Sequence, residues 1–483
     1  MQGVEAALAA AAERNPDGPA VIEARANHSV RITWRDLAER TAVLAAATRD
    51  AVPPGAVVLI DVANTADAVV RLVGALRSGR TVLPLPAHAP AGEIDRLADL
   101  AGRRYGAVYR SSGDLLEKLR SGPGRCTADH LLTGGGTTGR PKLSEGTVGD
   151  GLAGGMLMLL GRSGWDTGIR QLIVGPLYHA APFTILVAGL LDRHTLVVQG
   201  AFSAAKTART VERHAVQWMQ LTPSHMRRML TEPEVTAGRL ASLRGVLHTA
   251  APCDRLTKQG FNDLLGPERV FEMYGATERI GMTLASGAEW AARPGTVGKG
   301  FLTQIRILGE DGRSLPVGAE GRVFMRHGAG HRGHARTTAS VEHTPDGFRS
   351  VGDHGRLDAD GYLYLADRRT DMMTVGGSNV YPAEIERVIL DLPGVQDVAV
   401  AGRSDHTLGA VPIAFVVPVT GSTLSAADVT RHCRTALAVP KRPREVRIVA
   451  GLPRTEAGKL HRGRLIDLID PTRPTTTTEV AQP

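Results

Sequence analysis

Cysteine is scarce in this sequence, and its three cysteines lie far apart. Cys126, Cys253 and Cys433 form no CxxC pair, and they could not hold a metal ion by themselves. No zinc-binding motif is present either. This use of cysteine is typical of a protein of the reducing cytoplasm, which is the location we expect.

Aromatic residues are also few, at 4% of the chain, and the basic residues form no blocks. The net charge is +8, but 49 acidic residues are interleaved with the basic ones along the whole chain. A nucleic-acid-binding surface usually combines clustered positive charge with stacking aromatics. The composition therefore disfavours nucleic acid as a partner and suits a basic pocket for an anionic small molecule.

The sequence has no uninterrupted apolar run long enough to predict a membrane span. The longest candidate, Leu172–Leu191, is broken by two prolines and a histidine, which favours a buried strand, a loop and a buried helix. The N-terminal stretch carries Glu5 where a signal peptide needs positive charge. We interpret its alanines as an amphipathic helix that ends before Pro16.

Short apolar runs that alternate with longer helical patterns dominate the first 366 residues. "GAVVLIDV" and "HTLVVQG" are typical of buried strands, and "AAKTARTVERHA" is typical of a helix. This alternation predicts an α/β fold with parallel strands joined by helices. The chain of 483 residues is long enough for two domains, and 42% hydrophobic content suffices for a packed core.

The pattern changes after residue 366 to short strands and two helices. One helix is expected to begin at Pro382 and end before Gly394, and another to have Ser425 as its N-cap. This segment predicts a compact α+β unit of roughly 110 residues. We place the domains at 1–368 and 369–470, and we expect the polar tail, 471–483, to be disordered.

The stretch "LTGGGTTGRPKLS", Leu132–Ser144, looks at first like a nucleotide-binding P-loop. Gly134 and Gly139 have the separation of a Walker motif, but Arg140 and Pro141 follow where that motif needs lysine and a hydroxyl residue. Proline lacks the N–H and resists continuation into the helix that a P-loop uses. The stretch is therefore not a Walker loop.

A glycine- and threonine-rich loop that follows a strand remains. Its backbone amides and the hydroxyls of Thr137 and Thr138 could surround a polyphosphate, and Lys142 would supply positive charge. Taken alone, the same stretch is about equally consistent with an ordinary surface loop.

Four further motifs occur in order along the chain. They are "MYGATE" at 273–278, "VGDHGRLDADGYLYLADRRTD" at 351–371, "GGSNVYPAEIE" at 376–386 and "LPRTEAGKLHR" at 452–462. With the glycine-rich loop, their order and spacing resemble the adenylate-forming superfamily over nearly the whole chain. That superfamily contains acyl-CoA synthetases, adenylation domains of nonribosomal peptide synthetases and firefly luciferases, and the resemblance is closest to the acyl-CoA synthetases.

The resemblance implies a large N-terminal AMP-binding domain, a small mobile C-terminal domain and a two-step reaction. ATP and a carboxylate form an acyl adenylate and pyrophosphate, and a thiol, usually that of CoA, then displaces AMP. The implied cofactors are ATP, Mg²⁺ and CoA. Because the first step is a displacement at the α-phosphate, positioning and charge neutralisation must supply most of the catalysis.

The phosphate loop is the first group of residues to which the resemblance gives roles. Thr137, Thr138, Gly139 and Lys142 match the loop that surrounds the leaving pyrophosphate. Their roles depend on the resemblance, because a mobile linker would have the same composition.

The "YGATE" motif supplies the second group. The resemblance places Tyr274 and Gly275 at the adenine, Thr277 on the α-phosphate and Glu278 on magnesium. A magnesium ion usually keeps several waters and takes one or two protein carboxylates, so a single acidic residue is chemically sufficient.

The third group contains residues that the resemblance assigns to the ribose of ATP, to the adenylation step and to the thiol step. Asp353 matches the acid that accepts both ribose hydroxyls, and Arg368 matches the arginine that contacts the sugar and phosphate. Gly377 is on the segment used in the thiol step, and Lys459 matches the lysine that enters the site during adenylation. The family hinges in "DRRTD", usually at Asp or Lys, whereas this sequence has Thr370 there.

His179 matches a position that closes over the acyl site, although a buried structural histidine is the alternative. Members that activate amino acids place an aspartate shortly after this motif to pair with the ammonium group. Here "HAAPFTILVAG" contains no acid, which argues against an α-amino acid and favours an apolar or aromatic acid. "KRPREV" at 441–446 offers weak support for CoA as the acceptor.

Two departures from the family pattern keep alternatives open. Gly134 and Gly135 stand where hydroxyl residues are usual, and the N-terminal region is short. An ATP-dependent diazotase that adenylates nitrite for an aryl amine is one alternative, and acyl transfer to a separate carrier protein is another. A nucleotide-binding module without activity is the third, and the presence of Glu278, Asp353 and Lys459 argues against it.

Overall fold

The computed structural model describes most of the chain in two compact units. The described residues are 2–26, 28–112, 115–121, 125–134, 142–148, 155–327, 337, 341–366, 373–375, 378–405, 407–454, 460 and 465. Those up to Leu365 form the large unit, and those from Ala366 onward form the small unit. The tail predicted to be disordered lies outside the described residues.

Six of the described α-helices of the large unit begin at a hydroxyl or acidic N-cap whose side chain accepts a backbone hydrogen bond. Thr33 and Asp36 form a capping box, and Thr65 accepts a hydrogen bond from the amide of Ala68. The helices are Gln2–Arg14, Trp34–Ala51, Ala66–Arg77, Ala91–Tyr105, Leu157–Gly161, Ala180–Leu191, Ala204–His214, Pro223–Leu230, Arg255–Leu265 and Gly287–Ala292.

The strands of the large unit form two sheets. In chain order they are β1 Pro19–Ala24, β2 Ser29–Thr33, β3 Val57–Val62, β4 Thr81–Pro86, β5 Val108–Ser112, β6 Leu115–Arg120, β7 His130–Gly134, β8 Lys142–Gly146, β9 Arg170–Ile173, β10 Thr195–Gln199, β11 Trp218–Leu221, β12 Gly245–His248, β13 Val270–Gly275, β14 Met282–Ser286, β15 Thr296–Gly300, β16 Thr303–Leu308, β17 Gly321–His327, β18 Glu342–His343, β19 Arg349–Ser350, β20 His354–Leu357 and β21 Tyr362–Ala366.

The smaller sheet of this unit has the order β6-β5-β3-β4-β7-β8 among the described strands. Its interior strands β5, β3, β4 and β7 are parallel, and β6 and β8 are antiparallel edges. The larger sheet runs β18-β19-β17-β20-β21-β15-β14-β13-β12-β11-β9-β10-β1-β2, and β16 pairs with β17. From β13 to β1 its neighbours are all parallel.

The parallel-rich sheets that the sequence predicts for most of the first 366 residues are confirmed, and beyond β13 the strands are antiparallel. From Met282 to Ala366 the paired strands are antiparallel. The connections here are short turns, many of them containing glycine, and such turns can join antiparallel neighbours, whereas parallel neighbours need a longer crossover. The α/β class is confirmed, and this antiparallel layer is an addition to it.

Leu172–Leu191 folds as the strand, loop and helix that its prolines predict. The strand β9 ends at Ile173, and an apolar helix runs from Ala180 to Leu191. Asn64 fixes the loop between them, because its Nδ2 donates to the Gly175 carbonyl at 2.9 Å and its Oδ1 accepts from the Leu177 amide at 3.1 Å. Within the described part of the chain, no helix is long and apolar enough to cross a membrane.

The small unit is the α+β unit that the sequence predicts. Its strands are β22 Met373–Val375, β23 Ser378–Val380, β24 Val395–Asp405, β25 Gly409–Pro418 and β26 Glu445–Ile448, and its helices are Pro382–Leu390 and Ala426–Ala436. The described strands have the order β23-β22-β25-β24, with β26 parallel to β25. Ser425 is the N-cap as predicted, in a capping box with Asp428.

Candidate functional site

Several of the predicted site residues lie at one edge of the larger sheet. His179 follows β9, and Tyr274 to Glu278 lie at the end of β13 and in the turn after it. Because β9, β11, β12 and β13 are parallel neighbours, their carboxyl ends meet at the same edge. In open α/β sheets this is the edge at which ligands bind.

Tyr274 and Asp353 are in direct contact, although Tyr274 is on the parallel strand β13 and Asp353 directly precedes the antiparallel strand β20. The Tyr274 hydroxyl donates a hydrogen bond of 2.6 Å to Asp353 Oδ2. Asp353 is buried, and its carbonyl accepts from the Val323 amide at 2.8 Å. The preceding Gly352 has φ +86°, a left-handed conformation that glycine adopts without strain. The structure therefore brings together two residues that the resemblance assigns to one nucleoside.

Thr277 and Glu278 lie in the tight turn between β13 and β14. The Thr277 hydroxyl donates to Glu278 Oε2 at 3.1 Å, and the Arg279 amide donates to the Ala276 carbonyl at 2.9 Å. Arg279 has φ +54°, which is uncommon for a residue with a side chain and is found at functional sites more than elsewhere. The turn thus presents a hydroxyl and a carboxylate side by side.

Gly275 is the last residue of β13, and the chain passes close to it. A Cβ built on Gly275 would lie 3.3 Å from the Gly281 carbonyl oxygen. A side chain here would therefore push the two sides of the turn apart. This close approach is a physical reason for glycine next to Tyr274.

His179 is the N-cap residue of the helix Ala180–Leu191. Its amide donates to the Pro176 carbonyl at 3.0 Å, and its ring lies against that of Tyr178 with centroids 4.4 Å apart. The helix that follows contains no charged residue, and most of its side chains are buried. The helix that His179 caps is thus apolar, and the ring of His179 lies against an aromatic side chain.

Lys142 is described, and the rest of the phosphate loop is not. It begins β8, is half-buried and lies opposite Gly134 of β7. Several predicted residues lie outside the described residues: Thr137, Thr138, Gly139, Arg368, Thr370, Gly377 and Lys459.

A buried polar cluster under this edge was not predicted. Lys258 Nζ lies 2.8 Å from Glu272 Oε2 and also contacts His248 Nε2, and all three side chains are buried. His248 and Glu272 are opposite each other on β12 and β13. Burial lowers the pKa of His248 well below its ordinary value, and the adjacent positive charge of Lys258 lowers it further. In the sequence, His248 and Glu272 are polar residues within the apolar runs of β12 and β13, and this pattern was the signal that could have predicted the cluster.

His130, at the start of β7, is another buried group near the turn. Its ring lies 4.8 Å from that of Phe183. Burial lowers its pKa to about 3, with a smaller contribution from the positive charge of Arg279. A Cβ on Gly146 of the neighbouring strand would lie 2.1 Å from His130 Nε2, so only glycine fits opposite this ring.

A cavity of about 610 Å³ lies at the opposite edge of the larger sheet. Gly168, Arg170 and Thr195 line it at the amino ends of β9 and β10. None of the predicted site residues lies there. We therefore assign the candidate site to the carboxyl edge.

Comparisons with known proteins show the family to which the chain belongs. The AMP-binding enzyme family matches residues 8–127 and 130–333, and the AMP-binding enzyme C-terminal domain matches 384–459. A feruloyl-CoA synthase from Amycolatopsis is 31% identical over 344 residues, which is 69% of this chain and 68% of that protein. An indoleacetate–CoA ligase from Aromatoleum aromaticum is 30% identical over 375 residues, 76% of this chain and 72% of that protein.

A solved structure of ATP-bound MatB from Rhodopseudomonas palustris shares the fold. The two chains superpose with a TM-score of 0.78 at 24% identity, over 96% of this chain and 98% of that one. The fold and the edge on which the site lies define a two-unit α/β enzyme. The chain belongs to the AMP-binding enzyme family, and the resemblance stated from its motifs is confirmed.

Proposed function

We propose that the protein uses ATP to activate an aromatic or other apolar carboxylic acid as an acyl adenylate and then transfers the acyl group to CoA. The observation that carries this proposal is the contact between Tyr274 and Asp353 beside the turn that holds Thr277 and Glu278. The relatives named above are a synthase of feruloyl-CoA and a ligase of indoleacetate, both of which act on acids with an aromatic ring.

In the first step, a carboxylate oxygen of the acid attacks the α-phosphorus, and the bond to pyrophosphate breaks. Asp353 accepts the ribose hydroxyls, and Tyr274 orients the Asp353 carboxylate while its ring lies against adenine. Thr277 donates its hydroxyl to the α-phosphate. The loop residues Thr137, Thr138, Gly139 and Lys142 hold the pyrophosphate, and Lys459 stabilises the charge that develops in the transition state.

A magnesium ion would neutralise the charge of the phosphates when bound. Glu278 is the residue that would hold it, because its carboxylate is next to the Thr277 hydroxyl and forms no ion pair with a described residue. One carboxylate with phosphate oxygens and water is a suitable ligand set for this ion. The described residues contain no group of three or more His, Cys, Asp or Glu side chains that could bind a metal without the nucleotide.

The acid would lie beside His179 and the apolar helix Ala180–Leu191. That helix has no acidic side chain to pair with an ammonium group, so an α-amino acid would lose the ion pair that its binding requires. In the second step the CoA thiol attacks the acyl carbon and AMP leaves. For this step the small unit, with Gly377, turns about the segment that contains Thr370.

The test is AMP release from ATP, measured with a panel of aryl, arylalkyl, fatty, steroid and amino acids, each with and without CoA. CoA-stimulated turnover of an aromatic or apolar acid is the expected result. Nitrite with an aryl amine belongs to the same panel, and AMP release only with this pair would replace the ligase by a diazotase. An acid that forms acyl-AMP but never turns over with CoA would indicate a carrier protein as acceptor.

A further inference from the structure

Arg349 is a buried cation for which the described part of the chain offers no partner. Arg349 is 7% exposed, and its side-chain Nε donates to no hydrogen-bond acceptor among the described residues. An arginine has five N–H donors in a fixed planar arrangement, and it stays charged in proteins. Leaving such a group buried and unpaired costs free energy, and none of the described residues supplies the anion that would compensate its charge.

The strand geometry shows which way Arg349 faces. Its neighbour Phe348 packs with Phe324 and lies under the guanidinium groups of Arg306 and Arg326. Phe324 and Met325 are successive residues of β17, so their side chains point to opposite faces of the sheet. Arg349 is the cross-strand partner of Met325 and therefore lies on the face of Met325, opposite to Phe324.

Met325 is also the residue against which the turn after β13 packs. A Cβ built on Gly281 would lie 2.9 Å from Met325 Cβ, and Ile280 shares a buried cluster with Met325. Arg349 therefore lies on the face that is covered by the turn containing Glu278. Burial lowers the pKa of Arg349, and the negative charge of Glu278 partly offsets this lowering, yet the two side chains form no direct ion pair.

We propose that Arg349 binds an anionic oxygen of the phosphate chain of ATP, next to Glu278. This proposal extends the proposed function, since it adds a nucleotide-binding residue to the same site. The acid substrate also carries anionic oxygens, but a second bare carboxylate would be repelled by Glu278. A nucleotide phosphate binds together with a divalent cation, and the positive charge of this cation offsets the repulsion between the phosphate and Glu278.

The test measures nucleotide binding by the full-length protein, without acid or CoA. Arg349→Met removes the charge, Arg349→Lys retains it, and Arg326→Met is the control on the neighbouring strand and opposite face. We expect Arg349→Met to weaken ATP binding by about tenfold or more, because charge-assisted hydrogen bonds are the strong ones. Arg349→Lys should retain part of the affinity, and Arg326→Met all of it.

Thermal unfolding separates binding from a structural role. If Arg349 serves the ligand, the ligand-free Arg349→Met protein should melt at or above the wild-type temperature, and its stabilisation by ATP should be reduced. A lower melting temperature of both Arg349 variants with unchanged stabilisation by ATP would overturn the proposal. An unchanged ATP affinity with a raised KM for the acid would assign Arg349 to the acid and overturn it too.

AMP provides a further comparison. A loss of ATP affinity with AMP affinity retained places the contact beyond the α-phosphate, and a loss of both places it at the α-phosphate. Neither result depends on which acid is activated. The proposed acyl transfer can therefore fail in the AMP-release panel while the role of Arg349 stands.

Discussion

The ammonium group of Lys258 lies 2.8 Å from the carboxylate of Glu272, and the two side chains are buried together with His248. Removing one partner of such a pair leaves the other charge buried without compensation. We expect Lys258→Met to lower the free energy of unfolding by about 3 to 5 kcal/mol. Urea unfolding of Lys258→Met, with the exposed Lys118→Met as control, measures this loss.

The double variant Lys258→Met/Glu272→Gln tests the cause. It should recover part of the stability that Lys258→Met loses, because no unpaired charge remains. Equal stability of Lys258→Met and the wild type would show that the pair contributes nothing.

The hydroxyl of Tyr274 is expected to act through Asp353. Tyr274→Phe keeps the ring for adenine but removes the hydrogen bond that orients the Asp353 carboxylate. A hydrogen bond to a charged group contributes about 1.5 to 3 kcal/mol, so we expect the KM for ATP to rise roughly tenfold or more. Initial rates at varied ATP measure this, and kcat should change less.

Tyr362→Phe is a matched control for that variant. Its hydroxyl donates to Glu289 at 3.0 Å on the same sheet, away from the candidate site. An equal effect of the two substitutions on KM would contradict a specific role for Tyr274.

Lys459→Ala should separate the two half-reactions. Loss of one well-placed charge stabiliser costs about 3 to 4 kcal/mol of transition-state stabilisation, so adenylation should fall by about two orders of magnitude or more. Pyrophosphate exchange measures adenylation, and thioester formation from preformed acyl-AMP measures the second step, which should be much less affected. Arg434→Ala, on an exposed position of the same unit, is the control. Near-normal exchange in Lys459→Ala would remove Lys459 from the site.

Buried histidines should make the protein less stable in mild acid. Burial lowers the pKa of His130 to about 3 and that of His194 to about 4, from an ordinary value of 6.5. Below pH 6.5 these histidines are protonated in the unfolded chain but stay neutral in the folded protein, so the free energy of unfolding falls as the pH falls. Melting temperatures measured between neutral pH and about pH 5 should therefore decrease.

His130→Leu should make this pH dependence less steep, because it removes one of the buried histidines whose pKa is lowered. The exposed His343→Leu should leave it unchanged and serves as the control. An identical slope in His130→Leu and the wild type would show that His130 is not responsible.

The sequence predicted those parts of the fold that depend on local pattern. The apolar runs of β3 and β10, the break at Pro176 before the helix Ala180–Leu191 and the N-cap Ser425 are each decided within a few residues. The antiparallel strands were not predicted because polar and charged residues interrupt their apolar pattern, as in "TQIRIL", where Gln304 and Arg306 are exposed between less exposed neighbours.

The site was predicted by motif, and the residues that surround it were not. Tyr274 and Asp353 were assigned roles separately, and their contact depends on tertiary structure. Arg349 and Lys258 escaped notice because a charged residue is usually exposed, and no pattern in one sequence shows that it is buried. Arg349 is placed by the pairing of β19 with β17, and Lys258 by the packing of its helix, Arg255–Leu265, against His248 of β12 and Glu272 of β13.

The hydrogen bond between Tyr274 and Asp353 spans 79 residues of sequence. The intervening chain forms the antiparallel strands, and its main contribution to the site is to position Asp353. Substitutions that loosen β14 to β19 should therefore weaken nucleotide binding without touching the nucleotide. By the same linkage, a bound nucleotide should protect these strands from proteolysis, so a tight-binding adenylate analogue would act as a stabiliser of the whole large unit.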